Sequence, residues 1–435
     1  MGAGEAVGEL RFLAVSRWAE EPWSRGAWSL LGVGAGPHSR HALGEPFGRV
    51  LIAGEATHPE QAAMVHGAFE EGQHAADWCI REGFRDLIVV GAGAAGCGAA
   101  SRLRAAGCRV RVFEARERIG GRAWSVEVSL PGLPGFAMEL GANWLQQGVR
   151  NGLAPIAAAA GLRLMDTDFN APLDLGKVPA GLDASRRRSV MAALRARVAA
   201  ATAQRDMPFG SVFEEFLAEP APFDRHTVQH VVDTEVFLDT GAPLGMLSAR
   251  DAFEPGVGEG DRWILEGYAR VLGPLLEGAE LQLGTPVERI DWREADGVRV
   301  HCGGTRPAEH RAEAVILTVP AAVLRAGLPV FEPPLPAAQR AALDGIVTGR
   351  VEKAALVFSE RFWPRAPSAY LRITDGPGRV SEWLDLTDVT GVPAITGIFV
   401  GEWAAELWDG RSDAEVAEAV TAVLRRVTDS TGEGA

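Results

Sequence analysis

The sequence predicts an α/β protein of at least two domains, and three features support that prediction. The chain has 435 residues, more than one ordinary hydrophobic core holds. Residues 86–114 read as an apolar run, a glycine-rich turn, an Ala-rich stretch and a second apolar run. The composition is 47% hydrophobic and 23% charged, without an apolar run of eighteen residues, which is typical of globular proteins rather than membrane spans.

The bulk charge narrows the class of ligand. A net charge of -14 repels nucleic-acid phosphates, and the short basic run Arg186–Arg188 reads as a solvated helix face. We therefore expect a small-molecule ligand, with neither nucleic acid nor membrane as partner.

The cysteines and the first residues of the chain bear on the cellular compartment of the protein. The four cysteines form no CxxC pair, so neither a metal site nor a disulfide framework is predicted. The sequence MGAGEAVGELRF lacks a basic start followed by an apolar run, so we expect a cytoplasmic protein.

The run over residues 86–114 is a βαβ unit with a dinucleotide-binding pattern. Gly91, Gly93 and Gly96 form GxGxxG directly after a strand and at the start of a helix, which Ala94 and Ala95 open. The first glycine permits a tight turn, the second lets the backbone approach a pyrophosphate, and the third allows close packing of the helix. Glu114 ends the second strand, where an acid accepts hydrogen bonds from a ribose diol.

The sequence after Glu114 points to FAD rather than NAD. Residues 114–125 read EARERIGGRAWS, which resembles the FAD fingerprint of the amine oxidase and protoporphyrinogen oxidase superfamily. The resemblance implies that a short stretch along this segment contacts the flavin and its phosphates, namely Ala115, Arg116, Gly120, Gly121 and Arg122.

The next segment is similar to a block of the plant polyamine oxidases. Residues 139–148 read ELGANWLQQG, and in that family the stretch passes under the flavin and opens the substrate cavity. The resemblance implies cofactor contacts from Gly141, Ala142, Asn143 and Trp144, and a cavity lined by Trp144 and Gln146. A buried structural tryptophan is the alternative for Trp144.

Two later blocks follow in the family's order. The segment from Trp263 resembles the second FAD segment, in which Val287 contacts the adenine half. In RVEKAALVFSERFWP, Lys353 aligns with the family lysine that hydrogen-bonds through water toward flavin N5. From the residues alone, a lysine on a strand is more often an edge or snorkelling residue.

The start of the chain resembles the usual end of an amine oxidase. Trp18, the stretch PWSRGAWS at 22–29 and RVLIAGEATHPEQAAMVHGAFEEG from Arg49 normally close such sequences. The resemblance implies a circular permutation, with cofactor contacts from Gly54, Glu55, Met64 and Val65. Permutation is tolerated where the natural ends lie close together.

The predicted domains follow from this order. Residues 1–141 form the FAD-binding domain, as the permuted segment 1–82 plus a Rossmann-type unit 86–141. Residues 142–262 are the helical part of a substrate domain, 263–318 the second FAD segment, and 319–435 the mixed sheet and closing helix of the substrate domain.

The family's reaction is FAD-dependent oxidation of an amine to an imine, then an aldehyde or ketone, with O2 reduced to H2O2. The resemblance places Lys353, Trp28 and Met64 at the reacting centre. Many family members have two aromatic side chains facing the flavin there. Trp28 and Met64 occupy those two positions here, so only one of them is aromatic. Ala27 stands where monoamine oxidases carry the flavin-linked cysteine, so FAD is expected to be non-covalent. Asp239, with Glu235 nearby, falls near an acidic wall of polyamine oxidases, although plain solvated acids are an equal interpretation.

Other activities remain open at this point. An L-amino-acid oxidase needs an arginine for the substrate carboxylate, and Arg250 and Arg262 are candidates without a motif. An FAD-dependent desaturase of the same superfamily and a catalytically silent flavoprotein are the further alternatives. We expect a monomer or a homodimer.

Overall fold

The structure is a computed structural model that describes residues 8–131, 135–146, 150–168, 171–219, 222–253, 261–304 and 307–431. Part of the predicted block 139–148 therefore lies outside the described residues. The strands of the described part are β1 (Leu10–Val15), β2 (Ser29–Leu31), β3 (Val50–Ile52), β4 (Asp86–Val90), β5 (Arg109–Phe113), β6 (Ser125–Val128), β7 (Phe136–Glu139), β8 (Trp144–Leu145), β9 (Leu164–Asp166), β10 (Leu173–Gly176), β11 (Arg262–Ile264), β12 (Glu280–Gln282), β13 (Val287–Asp291), β14 (Val298–Cys302), β15 (Ala308–Ala312), β16 (Ala314–Leu317), β17 (Val330–Glu332), β18 (Ile346–Thr348), β19 (Val351–Phe358), β20 (Tyr370–Thr374), β21 (Val380–Asp385) and β22 (Ala394–Val400).

Helices alternate with these strands along much of the chain. The α-helices are α1 (Pro37–Gly44), α2 (Val65–Arg81), α3 (Ala94–Ala105), α4 (Ala154–Ala159), α5 (Ala184–Ala201), α6 (Phe209–Ala218), α7 (Arg225–Val232), α8 (Leu238–Thr240), α9 (Ala269–Leu272), α10 (Ala321–Arg325), α11 (Ala337–Gly345), α12 (Thr387–Thr390), α13 (Gly401–Trp408) and α14 (Asp413–Thr431). Among the described helices, none has the length and apolar character needed to cross a bilayer.

A five-stranded parallel sheet forms the nucleotide-binding part, in the order β12-β5-β4-β16-β3. The apolar runs of β4 and β16 occupy its centre and are buried, as expected where both faces of a parallel sheet are covered. The edge strand β3 comes from the first sixty residues, and α2 then leads back to β4 and packs against α3. The N-terminal region is thus an integral layer of this domain.

A six-stranded mixed sheet forms the second part, in the order β1-β19-β22-β21-β20-β10. Every residue of β19, β20 and β22 is buried. The helices α13 and α14 pack their apolar residues into the same core, which includes Trp383, Phe399 and Trp408. A separate helical layer, α5 to α7, has its own core around Phe209 and Phe213.

Two strands lie outside the domain in which the sequence places them. β1, predicted within the FAD-binding domain, pairs antiparallel with β19 of the mixed sheet. β17, predicted within the substrate domain, pairs with β13 beside the second FAD segment. Such pairings join residues far apart in the chain, which local patterns cannot indicate. The interval 150–262, predicted to be helical, also contributes β9 and β10.

Candidate active site

The glycine turn after β4 has one glycine for each structural demand. Gly91 has a φ of 103°, and Gly96 packs so closely that an added Cβ would lie 1.9 Å from the Gly91 carbonyl oxygen. At Gly93 the φ is an ordinary -77°, and the nearest atoms to an added Cβ, in Gly120 and Gly121, lie 3.9 Å away. The fold itself does not require glycine at Gly93, so that glycine indicates the close approach of a ligand.

The start of α3 supplies a site for phosphate. Its N-cap is Gly93, without a capping side chain, so the first backbone N–H groups point toward the open turn. Glu114, at the end of β5, accepts hydrogen bonds from the backbone N–H groups of Ala92 at 2.8 Å and Arg116 at 2.9 Å. These contacts orient its carboxylate beside the turn. We call Gly91, Gly93, Gly96, the start of α3 and Glu114 the glycine cradle.

Glu55, which is buried, forms an ion pair with the partly exposed Arg122 next to the cradle. The Arg122 Nη1 atom donates to Glu55 Oε1 at 3.0 Å, and Glu55 also accepts from Ser29 Oγ at 2.6 Å and from the Ala63 N–H at 2.9 Å. Burial alone raises the pKa of Glu55, but Arg122 and Arg40 outweigh it and hold that pKa below its ordinary value. Glu55 is therefore ionised and fixed at neutral pH.

A single cavity of about 1440 Å³ extends from the cradle into the mixed-sheet part. This exceeds the volume usual for a drug-sized ligand and suits a dinucleotide together with a second ligand. Of the residues predicted to bind cofactor or substrate, all except Gly96 line it: Trp28, Gly54, Glu55, Met64, Val65, Gly91, Gly93, Ala94, Ala95, Glu114, Ala115, Arg116, Gly120, Gly121, Arg122, Gly141, Ala142, Asn143, Trp144, Gln146, Asp239, Val287 and Lys353.

Lys353 lies inside the protein, where the cavity passes from the glycine cradle to the mixed sheet. Its side chain extends from β19, and Nζ donates to the Gly141 carbonyl oxygen at 2.5 Å and to Asn143 Oδ1 at 2.6 Å. The same Nζ lies 5.9 Å from the centre of the Trp144 ring. Since the lysine is only 7% exposed, it is neither an edge residue nor a snorkelling one.

Burial sets the protonation of Lys353. It lowers the pKa of this lysine to about 7, although the carboxylates of Glu139 and Glu382 oppose the shift. The amine is therefore poised to gain or lose a proton near neutral pH.

A row of side chains runs from Lys353 across the mixed sheet. Lys353 is opposite Ile398, Ile398 opposite Glu382, Glu382 opposite Arg372, and Arg372 opposite Asp174. Residues directly opposite on neighbouring strands project from the same face of a sheet, and all five line the cavity. Strands are spaced by about 4.8 Å, so Glu382 stands about 10 Å along the row from Lys353.

The far part of the row is an ionic network. Arg372 Nη2 donates to Glu382 Oε1 at 3.1 Å, and the Tyr370 hydroxyl donates to Glu382 Oε2. Arg187, from α5, lies 3.5 Å from Asp174 and donates to Glu235 at 3.0 Å. The predicted solvated face Arg186–Arg188 is therefore wrong at Arg187, whose side chain is largely buried by these acids.

Asp239 faces the same space from α8. More than a third of its surface is accessible, and its side chain borders the cavity. Burial raises the pKa of Asp239 to about 8, and the negative charges of Glu382 and Glu235 add to the shift. We call Asp174, Glu235, Asp239 and Glu382 the acidic wall.

The two residues of the predicted aromatic pair both border the cavity. Trp28 is half-buried, and Met64 is the N-cap of α2, where its Sδ accepts from Gln146 Nε2 at 2.9 Å. The Trp144 ring lies 6.2 Å from the ring of Tyr370. The centre of the cavity is thus bordered by large apolar groups.

Several site residues were not predicted from the sequence. Arg372, Glu382 and Asp174 occupy apolar strands, where a charged residue in an otherwise apolar run was the only signal. Conversely, the candidate clamps Arg250 and Arg262 do not line the cavity; Arg250 donates to the Thr202 carbonyl and Arg262 pairs with Asp166.

The fold and the cavity together define a class of protein. A parallel sheet with a glycine cradle is the arrangement that binds a dinucleotide, and the cavity continues from this cradle to a buried lysine on the mixed sheet. This is the architecture of a two-domain dinucleotide-dependent oxidoreductase.

Comparison with known proteins identifies the family. Residues 1–80 and 94–433 match the profile of the flavin containing amine oxidoreductases, and the chain belongs to that family. The predicted α/β flavoprotein fold and the FAD cofactor are thereby confirmed.

Individual relatives are more distant. The chain is 29% identical over 317 residues to lysine-specific histone demethylase 1B of Mus musculus, covering 64% of this chain and 35% of the demethylase. It is 28% identical over 371 residues to polyamine oxidase 4 of Oryza sativa subsp. japonica, covering 78% of this chain and 72% of that protein. The chain thus spans about a third of the length of the demethylase it matches.

A solved structure shares the fold. Cyclohexylamine oxidase from Brevibacterium oxydans IH-35A superposes with a TM-score of 0.60 at 22% identity, covering 79% of this chain and 81% of that one.

The cysteines agree with non-covalent FAD. All four lie in the described part of the chain, all are buried, and none lines the cavity. A thioether from a cysteine to the flavin is therefore not available.

Proposed function

We propose that this protein oxidises an amine to an imine with FAD as acceptor, and that the imine hydrolyses to an aldehyde or ketone while O2 is reduced to H2O2. The observation that carries the proposal is the position of Lys353, buried between the glycine cradle and the acidic wall in one continuous cavity. The family, and relatives named as amine oxidases, support the same reaction.

The residues present fit FAD. The cradle would hold the pyrophosphate and a ribose, Val287 would border the adenine half, and Glu55 with Arg122 would border the flavin half. When bound, FAD supplies the acceptor for the hydride equivalent removed from the substrate.

The chain's own residues would then orient and desolvate the amine. Trp28, Trp144 and Met64 would exclude water and hold the C–N bond in place. Lys353, whose pKa is about 7, would exchange protons near neutral pH through a water between its Nζ and the reacting centre. Its two hydrogen bonds to Gly141 and Asn143 fix the position of Nζ.

The acidic wall favours an amine that carries a second cationic group. Its four carboxyl groups face two buried guanidinium groups, those of Arg187 and Arg372, so the wall stays negative even when Asp239 is protonated. Asp239 borders the open cavity, whereas Glu382 is engaged by Tyr370 and Arg372. We therefore propose Asp239 as the contact for the distal cation.

The same network bears on the rival activities. An amino-acid oxidase would need a guanidinium group free to pair with the substrate carboxylate. Arg188 and Arg195 border the cavity from α5, but Arg372, the arginine in the row that leads to Lys353, is paired with Glu382. Burial lowers the pKa of Arg372, but the charges of Glu382 and Asp174 outweigh burial and leave that pKa raised. We therefore rank the amino-acid oxidase below the amine oxidase, with the desaturase and the silent flavoprotein after it.

A panel of substrates separates these activities. Purified holoprotein is incubated in air with diamines, polyamines, monoamines, amino acids and apolar hydrocarbons that carry no amine, and peroxide and carbonyl product are measured. We expect equimolar peroxide and aldehyde from diamines or polyamines at lower concentrations than from monoamines. Peroxide from amino acids alone would instead support the amino-acid oxidase.

We also propose that the chain is circularly permuted relative to its family. The edge strand β3 and helix α2, which precede β4 in the chain, complete the parallel sheet, and the family match is interrupted between residues 80 and 94, beside the connection 82–85. The four free cysteines support our proposal of a cytoplasmic location. A monomer or homodimer is proposed, with light scattering as the test.

A further inference from the structure

A buried carboxyl group lies beneath the turn that holds Lys353. Glu139 ends β7, two residues before Gly141, and none of its surface is exposed. Its Oε1 accepts from Ser125 Oγ at 2.8 Å and from the Tyr268 N–H at 2.9 Å. Among the described residues, Oε2 has no hydrogen-bond partner. A carboxyl group in such a place is costly unless a nearby positive charge balances it.

We propose that Glu139 is a positioning residue that keeps Lys353 charge-balanced and fixed against Gly141 and Asn143. This inference rests on the proposed function, because it assigns a role to Glu139 through the lysine of that reaction. The segment from Glu139 to Asn143 carries the carboxyl group at one end and both acceptors of Lys353 toward the other.

The charges around Lys353 come from two elements. Glu139 acts from β7, and Glu382 acts from β21 along the row described above. The chain neighbour Glu352 belongs to the other face of β19, where it accepts from Ser16 and from the backbone of Trp18 and Ala19. Of the two carboxyl groups whose charges reach Lys353, Glu382 borders the cavity and pairs with Arg372, whereas Glu139 does neither.

Glu139 and Lys353 each affect the protonation of the other. Burial raises the pKa of Glu139 to about 7, opposed by its hydrogen bonds from Tyr268 and Ser125 and by the charge of Lys353. Because Lys353 also titrates near 7, removing the Glu139 charge destabilises the ammonium form of the lysine.

The small number of lysines in the chain makes the titration of Lys353 measurable. It contains only two lysines, Lys177 and Lys353. In FAD-loaded protein labelled with carbon-13 lysine, Lys177→Arg assigns the two side-chain signals. We expect Glu139→Gln to move the titration midpoint of Lys353 about one pH unit lower, and Glu139→Asp to keep it near the wild-type value. The matched control is Glu127→Gln, which removes an exposed carboxylate from the same β6–β7 hairpin and leaves the midpoint unchanged.

A second variant covers the case in which Glu139→Gln does not fold. Ser125→Ala removes one hydrogen bond that favours the Glu139 carboxylate, so it shifts the Lys353 midpoint in the same direction by less. An unchanged midpoint in folded, FAD-loaded Glu139→Gln, or in Ser125→Ala where the first variant is lost, overturns the proposal. A shifted midpoint in a protein that oxidises no amine refutes the proposed function instead, so the two failures are distinguishable.

Discussion

The glycine cradle and the acidic wall border the same cavity, yet they are built in different ways. The cradle lies within the single segment from Gly91 to Glu114 and combines a glycine turn, a helix N-terminus and one carboxylate. The wall uses side chains from β10, β21, the π-helical turn Asp233–Phe237 and α8, more than 200 residues apart at the extremes. The cradle is therefore specified by local sequence, whereas the substrate part of the cavity is specified by sheet register.

The largest expected effect is on the cradle. Gly93→Val places a side chain where the fold leaves room, at a φ that valine adopts without strain. We expect the apoprotein to fold and the affinity for FAD to fall at least about 100-fold, because the backbone can no longer approach the pyrophosphate. Flavin-fluorescence titration measures this. Gly245→Val, at an exposed glycine with open space around its Cβ, is the control and keeps wild-type affinity.

The next largest effect is expected at Lys353, which lies between the glycine cradle and the acidic wall. Lys353→Met removes the buried amine while preserving most of its apolar volume. We expect the rate of anaerobic flavin reduction to fall by about 100-fold or more, with FAD content unchanged. Stopped-flow absorbance gives the rate.

The other lysine provides the matched control for that experiment. Lys177→Met changes a lysine that is exposed and paired with Asp375 at the surface. It should leave the rate as in wild type, and equal slowing in both variants would contradict the assigned role of Lys353.

A smaller effect is expected at the wall. At about pH 9, where Asp239 is ionised, Asp239→Asn should lower kcat/KM for a diamine by about 10-fold through loss of one charge-assisted hydrogen bond, while kcat/KM for a monoamine of matched length stays the same. Equal losses for both amines would show that Asp239 does not bind the distal cation.

The pH dependence sharpens that test. Because the pKa of Asp239 is raised to about 8, its negative charge appears as pH rises through that value. The preference for diamine over monoamine should therefore grow between about pH 7 and 9 in the wild type, and it should lose this dependence in Asp239→Asn.

The smallest effect is expected from rearranging the chain into the order that the proposed permutation assigns to the family. Moving residues 1–80 behind residue 433, with a short flexible linker, keeps every strand of the parallel sheet available. We expect the same FAD affinity and a Tm within a few degrees of wild type, about 1 kcal/mol or less. Calorimetry of the two chains checks this, and a rearranged chain that cannot bind FAD would argue against the permutation.

The same contrast explains what the sequence could predict. The βαβ unit and Glu114 stand in a local pattern that indicates a cofactor site. Lys353 was expected there only from the family resemblance, because its local pattern is typical of an edge or snorkelling lysine. Arg372 and Glu382 could not be predicted, because they meet only when β20 pairs with β21 in one particular register. The domain of β1 was missed for the same reason, since its partner β19 lies more than 300 residues later.

We propose that an amine whose distal cation lies at the acidic wall reduces the FAD whose pyrophosphate lies in the cradle. The direct measurement is an anaerobic titration of FAD-loaded protein with the best diamine, followed by absorbance at about 450 nm. We expect complete bleaching at one equivalent of diamine, followed by one equivalent of peroxide when air is admitted. Bound FAD that no amine bleaches would contradict this proposal.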